Sequence, residues 1–148
     1  MISENPMPSD GRDWLANMVT KAGGVAGTMH VVDGEGLRLV AAVNIPPPVQ
    51  AIVEYVPRGK GMAGMALDSG EPVQTCNLKE DTSGNVRPGA KAVNAKAAVA
   101  MPVRDAGGAI VAVVGVAFDD EREISEQEVR ALTRDAESVV SILPPRTR

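Results

Sequence analysis

By spacing alone, the residues best placed to do chemistry are Gly59-Lys60-Gly61-Met62-Ala63-Gly64, which fit G-x-G-x-x-G. That pattern cradles a pyrophosphate when a strand ends at the first glycine, a long helix opens at the turn, and an acidic residue follows about 20 residues later. Here Pro57 stands two residues before Gly59, the preceding segment reads as helical, and the next helix stops at Ser69-Gly70. The expected role of these glycines is structural: they permit positive φ and close packing of a helix on a sheet. Cys76 is the single cysteine. It has no partner for an intrachain disulfide and no general base beside it. It reads as a small buried residue at a strand end, with a redox-sensing thiol as the alternative. His30 is the single histidine. It shares one face of a strand with Thr28, while Val25, Met29 and Val31 take the other. One histidine and one cysteine cannot build a zinc site of four protein ligands, so a hydrogen-bonded surface or sheet histidine is the expectation.

The remaining polar candidates have simpler readings. Ser69 and Ser125 have no histidine in a triad order, and Ser125 is explained as a helix cap. Asp119, Asp120, Glu121 and Glu123 form a charged connector rather than a paired acid and base. Met62 and Met65, three residues apart, can face a sheet and line an adaptable pocket, or serve as ordinary core. Lys79, Arg87, Lys91 and Lys96 lie beside Glu80 and Asp81 on a segment where an anion could be recognised, although mixed charge on a solvated loop is the plainer reading.

The elements that must position these groups follow from periodicity. Trp14, Leu15, Met18, Val19 and Ala22 follow helical spacing after Asp10 and stop at Gly23-Gly24. Val25 to Val32 and Leu37 to Val43 are strands joined by Asp33-Gly34-Glu35-Gly36, which predicts a hairpin with Leu37, Leu39, Ala41 and Val43 on one face. Pro46-Pro47-Pro48 predicts an extended segment and Val49 to Glu54 a short helix started by Pro48. A glycine turn at 58–61, a short helix from Met62 to Asp68 and a strand from Pro72 to Cys76 come next. Residues 77–95 show no periodicity and read as a lid or binding loop. Ala97 to Val103 is a strand in which Pro102 marks a bulge or an edge. Ala109 to Phe118 is a continuous apolar strand of the kind found at a sheet centre. Ser125-Glu126-Gln127-Glu128 is a capping box that opens a helix carrying Val129, Leu132, Ala136, Val139, Val140 and Leu143. This order predicts an α+β domain: an antiparallel sheet of five or six strands with the terminal helices packed on one face.

The totals bound the function. A chain of 148 residues is one domain by the usual prior. It carries a net charge of −4 and a pI of about 5.0, which argues against a nucleic acid or an anionic membrane as partner. Trp14, Tyr55 and Phe118 are the only aromatics, which disfavours a large planar ligand. The apolar run Ala109 to Phe118 is far short of the ~20 residues of a membrane helix. The opening MISENPMPSDGRD has no basic and apolar regions of a secretory signal, and the expected location is the cytoplasm. The expected organisation is a tail over 1–9, one domain over 10–143 and a short tail over 144–148.

The chain resembles the GAF domain family of sensory modules. The resemblance rests on Gly59–Gly64 with Ser69-Gly70-Glu71-Pro72-Val73, on Ala98-Val99-Ala100-Met101-Pro102-Val103, on the Gly107-Gly108 turn, and on Val111–Phe118 running into a Ser-Glu capped helix. It spans roughly residues 10–143. It implies a central antiparallel sheet with a small-molecule pocket on one face, a lid of short helices and the long loop, and homodimer contacts through the terminal helices. On this basis Tyr55, Met62, Met65, Cys76, Asn77, Asp81, Arg87, Met101 and Phe118 are the candidate ligand-contacting residues. Bilin-binding members usually carry Cys followed by His, but Asn77 follows Cys76 here. Methionine-sulfoxide-reducing members need a second cysteine to resolve a disulfide. Cyclic-nucleotide-binding members carry an Asn-Lys-Phe-Asp-Glu set, of which only Phe118-Asp119-Asp120-Glu121 has a counterpart. Bilin, haem and cyclic nucleotide are thus disfavoured, and the expectation is a non-catalytic sensor of a small molecule. Its output would come from a partner signalling protein, since no catalytic, receiver or DNA-binding segment follows Leu143. The chain is expected to be either a stand-alone regulator or an excised module. The alternatives are a ligand-independent dimerisation scaffold and a Cys76-based redox sensor.

Overall fold

The structure is a computed structural model that describes residues 9–75, 96–120 and 124–142. Its elements in chain order are α1 (Ser9–Ala22), β1 (Ala26–Asp33), β2 (Gly36–Val43), α2 (Pro47–Ile52), β3 (Tyr55–Pro57), α3 (Gly61–Ser69), β4 (Val73–Thr75), β5 (Ala97–Arg104), β6 (Ile110–Phe118), α4 (Glu126–Ala136) and a 3₁₀ helix (Glu137–Ile142). The six strands form one antiparallel sheet in the order β3-β2-β1-β6-β5-β4. The expected α+β arrangement holds: α1, α4 and the 3₁₀ helix lie on one face and α3 on the other.

Local chemistry sets the boundaries. Gly23, at φ 82, ends α1: its N–H donates to Thr20 O and the Gly24 N–H to Val19 O, the paired bonds of a Schellman cap. Asp33 pairs with Gly36, so the first hairpin has a two-residue loop in which Gly34 supplies φ 63. Ser125 Oγ accepts from Glu128 N at 3.1 Å and caps α4. The flanking Ile124 and Val129 are both buried in the same core.

Three expectations need correction. α2 begins at Pro47, one residue before Pro48, the expected start, because the first helical positions need no N–H donor. Tyr55–Pro57, in the segment expected to be helical, is edge strand β3. Leu37, Leu39, Ala41 and Val43 do not share a face. The register between β1 and β2 shifts at Met29/His30, so Val40 is an extra residue. That bulge leaves Leu37 in the core under α3 and turns Ala41 and Val43 towards the terminal helices. Pro102 lies inside β5 opposite Val113. β4 reaches only as far as Ala100, so the missing donor of Pro102 lies where β5 has lost its outer neighbour.

The sheet has two unequal faces. Towards the terminal helices, β5 presents Val99, Met101 and Val103, and β6 presents Ala112, Val114, Val116 and Phe118. They pack with Leu15, Met18 and Val19 of α1 and with Val129, Ala136 and Val139. Trp14 Nε1 donates to Ser138 Oγ at 2.9 Å and ties the two terminal segments together. The other face carries a smaller core of Leu37, Val56, Ala66, Leu67, Ala100 and Val113. The chain enters α3 from β3 and leaves it into β4, the two opposite edges of the sheet. α3 therefore lies across that face, on β2, β5 and β6.

Gly64 makes this crossing possible. It is buried, its carbonyl accepts from Gly59 N at 2.8 Å, and a Cβ there would collide with the Pro57 carbonyl oxygen. Backbone cannot rotate aside as a side chain can, so Gly64→Ala is expected to lower unfolding stability by about 2 kcal/mol in a denaturant titration. An unchanged midpoint and slope would show that α3 is not held at this contact.

Candidate ligand cavity

Period-two alternation places Thr28 and His30 of β1, Ala98 and Ala100 of β5, and Gly115 and Ala117 of β6 on the face beneath α3. Thr28 pairs with Gly115, Gly115 with Ala100, and Ala117 with Ala98. The middle of the sheet thus offers a floor on which no side chain from β5 or β6 is larger than a methyl group. A Cβ on Gly115 would approach Thr28 Oγ1 to 2.9 Å. Above the floor are Ile45, Val49 and Val53 from α2 and its flanks, Val56 of β3, and Lys60, Gly61, Met62 and Ala63 at the start of α3. The space between them is a cavity of about 140 Å³. Among the described residues its wall is almost wholly apolar, with His30 and Lys60 the two titratable lining residues.

His30 spans floor and roof. It is 2% exposed, and its Nε2 lies 2.9 Å from Val53 O, at the end of α2. A carbonyl only accepts, so Nε2 carries the hydrogen and Nδ1 presents a bare lone pair. Nδ1 is buried and has no hydrogen-bond partner. Burial removes the water that would solvate an imidazolium, which lowers the His30 pKa from 6.5 to about 4. The bond to Val53 opposes this only in part.

The candidate residues fall in different places. Met62 lines the cavity. Met65 is half-buried on α3 and is not among the lining residues. Tyr55 is 46% exposed on edge strand β3, and its hydroxyl donates to Asp33 O at 3.4 Å over the end of the first hairpin. Met101 and Phe118 do not reach the cavity: their strand parity puts both in the core on the opposite face of the sheet. Cys76, Asn77, Asp81 and Arg87, with the expected lid loop over 77–95, lie outside the described residues. The glycines of the G-x-G-x-x-G match hold a turn. Gly59 and Gly61 have φ 83 and 67, and β4, the strand that follows α3, lies at the opposite edge of the sheet from β3 instead of parallel beside it, so the dinucleotide geometry is missing. Lys60 and Gly61 nonetheless line the cavity. His30, Thr28 and the small floor residues were not among the candidates. Their signal was present as small residues at period two opposite the large ones in β5 and β6. Among the described residues, no group of three or more His, Cys, Asp or Glu side chains could hold a metal ion, and no helix is long and apolar enough to cross a membrane.

A family model described as GAF domain matches residues 13–143. The chain belongs to the GAF domain family. No curated protein matches it at a significant level. Among solved structures, this GAF domain is similar to a type II free methionine-R-sulfoxide reductase from Thermoplasma acidophilum. The TM-score is 0.73 at 15% identity, over 90% of this chain and 89% of that one. It is also similar to a free methionine-R-sulfoxide reductase from Neisseria meningitidis in complex with its substrate, with a TM-score of 0.64 at 17% identity over 90% and 81%. A third similar structure is the GAF domain of a two-component sensor histidine kinase from Bacillus halodurans, with a TM-score of 0.62 at 17% identity over 88% and 91%. At these identities the likeness establishes the fold alone. It does overturn one expectation, that the chain is not an enzyme. Two of these neighbours are reductases by name, so the fold does not support that expectation.

The buried imidazole has a measurable consequence. Above pH 6.5 His30 is neutral in both folded and unfolded chains. Below it the unfolded chain takes up a proton that the folded one refuses until about pH 4. Stability is therefore expected to fall as pH drops from 6.5 to 4, by about 3 kcal/mol in total at 1.36 kcal/mol per pH unit. Denaturant titrations of the wild type and His30→Gln across this range isolate the effect from the carboxylates. Parallel curves for the two proteins would mean that His30 is solvated.

Proposed function

We propose that this GAF domain is a sensory and regulatory module that takes a small molecule into the cavity between the sheet and α2–α3. The observation that supports this reading is the floor of Ala98, Ala100, Gly115 and Ala117, which leaves about 140 Å³ beneath α3. Protein interiors normally fill such space. A cavity of about 150 Å³ with apolar walls has the capacity for a single-ring molecule, which supports a metabolite-sized ligand over a nucleotide, bilin or haem. Entry of a ligand would favour one placement of α2 and α3 over another, and such a shift requires tighter binding to one of the two states. The strands that form the floor also carry Val99, Val114 and Val116 on their other face against the terminal helices. We place the output there, with a homodimer formed through α1 and α4 and a signalling protein as the downstream partner. The acidic composition and the single cysteine support a cytoplasmic setting.

A thermal-shift screen of small metabolites against wild type and Ala98→Leu tests this. The leucine side chain fills the cavity without adding a polar group. Hits are expected to raise the melting temperature of the wild type and to lose that effect in Ala98→Leu, with the circular dichroism spectrum unchanged. A screen without hits, or hits indifferent to Ala98→Leu, contradicts the proposal. Light scattering checks the dimer: a monomer at micromolar concentration, with or without ligand, counts against signalling through paired terminal helices.

A further inference from the structure

Thr28 stands in the cavity floor, where β1 meets β6. It pairs with Gly115, and a Cβ built on Gly115 would come within 2.9 Å of Thr28 Oγ1. Directly opposed residues of an antiparallel pair put their side chains on the same face. Oγ1 therefore leans over Gly115, on the face where Val113 of the same strand packs under α3. Thr28 is half-buried, so part of it stays open to the cavity it lines. His30, the next residue on this face, differs: its Nδ1 has essentially no accessible surface, and its Nε2 is taken by Val53 O. The cross-strand neighbours of Thr28 are Ala42 and Gly115, and neither has a side chain that can hydrogen-bond. Ala100, opposite Gly115 in β5, offers only a methyl group. No hydrogen bond joins the Thr28 hydroxyl to another described residue. The missing Cβ of Gly115 is what leaves this hydroxyl uncovered, since any larger residue there would press on it.

Taking the cavity as the ligand site proposed above, we infer that Thr28 recognises the ligand through a hydroxyl or carboxamide group that hydrogen-bonds Oγ1 above Gly115. A threonine hydroxyl both donates and accepts, and alcohols, phenols and carboxamides match it in both roles. The rest of the ligand is a compact apolar body of about the size of a benzene ring, which suits a cavity of about 140 Å³. That body lies against Val49, Val53 and Met62 on the helix side, so the polar end faces the sheet. Thr28 is the specificity residue, and Gly115 is the positioning residue that clears the approach to it.

The test compares phenol with toluene, which share a shape and differ by a hydroxyl. Both are titrated into the ¹⁵N-labelled full chain and into Thr28→Val, which removes the threonine hydroxyl and keeps the side chain's shape. The ratio of phenol affinity to toluene affinity is expected to fall about tenfold in Thr28→Val, because a phenol hydroxyl held over valine has lost its partner. Toluene is expected to bind both proteins alike. Thr28→Ser, which keeps the hydroxyl, is expected to retain the wild-type ratio. If Thr28→Val does not fold, Thr28→Ser against Thr28→Ala makes the same comparison. A ratio that ignores the loss of the hydroxyl overturns this inference and leaves the cavity standing as a ligand site. Failure of both probes to bind the wild type overturns the cavity reading, and this inference with it.

Discussion

In a sheet, successive side chains point to opposite faces, so one strand can serve two surfaces of different character. β5 and β6 use that rule unevenly. Val99, Met101, Val103, Val114, Val116 and Phe118 fill one face and anchor the terminal helices. Ala98, Ala100, Gly115 and Ala117 leave the other face nearly bare. The first set supplies the apolar burial that holds the fold, so the second is free to leave space. Larger residues on the bare side would gain burial but close the cavity and press on α3. Without this asymmetry there would be room for a lid but none for a ligand.

The lid depends on backbone more than on side chains. α3 runs between the two edge strands of the sheet, and its entry is a self-bonded turn in which Gly59 and Gly64 meet through a backbone hydrogen bond. Gly70, at φ 74, ends the helix with its N–H on Ala66 O. Between these glycine-defined ends, α3 buries Ala66 and Leu67 against Leu37, Val56 and Val113. His30 adds a polar tie from floor to roof, reaching Val53 at the end of α2. Holding a neutral imidazole there disfavours the fold below pH 6.5 and keeps an acceptor in place at neutral pH.

Much of the architecture was legible in the residues. The Asp-Gly hairpin, the double-glycine stop of α1, the Ser125 cap and the central apolar strand each have a local cause, and each stands where local rules put it. Features that depend on distant partners did not. The bulge at Val40 reverses the faces of β2, and β3 is a strand only because Leu37 and its neighbours are there to pair with it. The site was harder still. Met101 and Phe118 are candidates by the family resemblance, but their parity with Val99 and Val116 sends them to the other side. The cavity is defined by what Ala98, Ala100 and Gly115 lack, and small residues give a weak signal until strand pairing sets them side by side. His30 could be placed on a face with Thr28, but its burial depends on α2 folding over it.

The central claim is that the space over this floor admits a small molecule. Mapping the backbone amide shifts of the ¹⁵N-labelled protein during a titration with a benzene-sized probe tests it most directly. The account predicts saturable shifts concentrated at Thr28, His30, Ala98, Ala100, Gly115 and Met62. An absence of saturable shifts, or shifts centred on Leu15, Val129 and Val139 across the sheet, would contradict it.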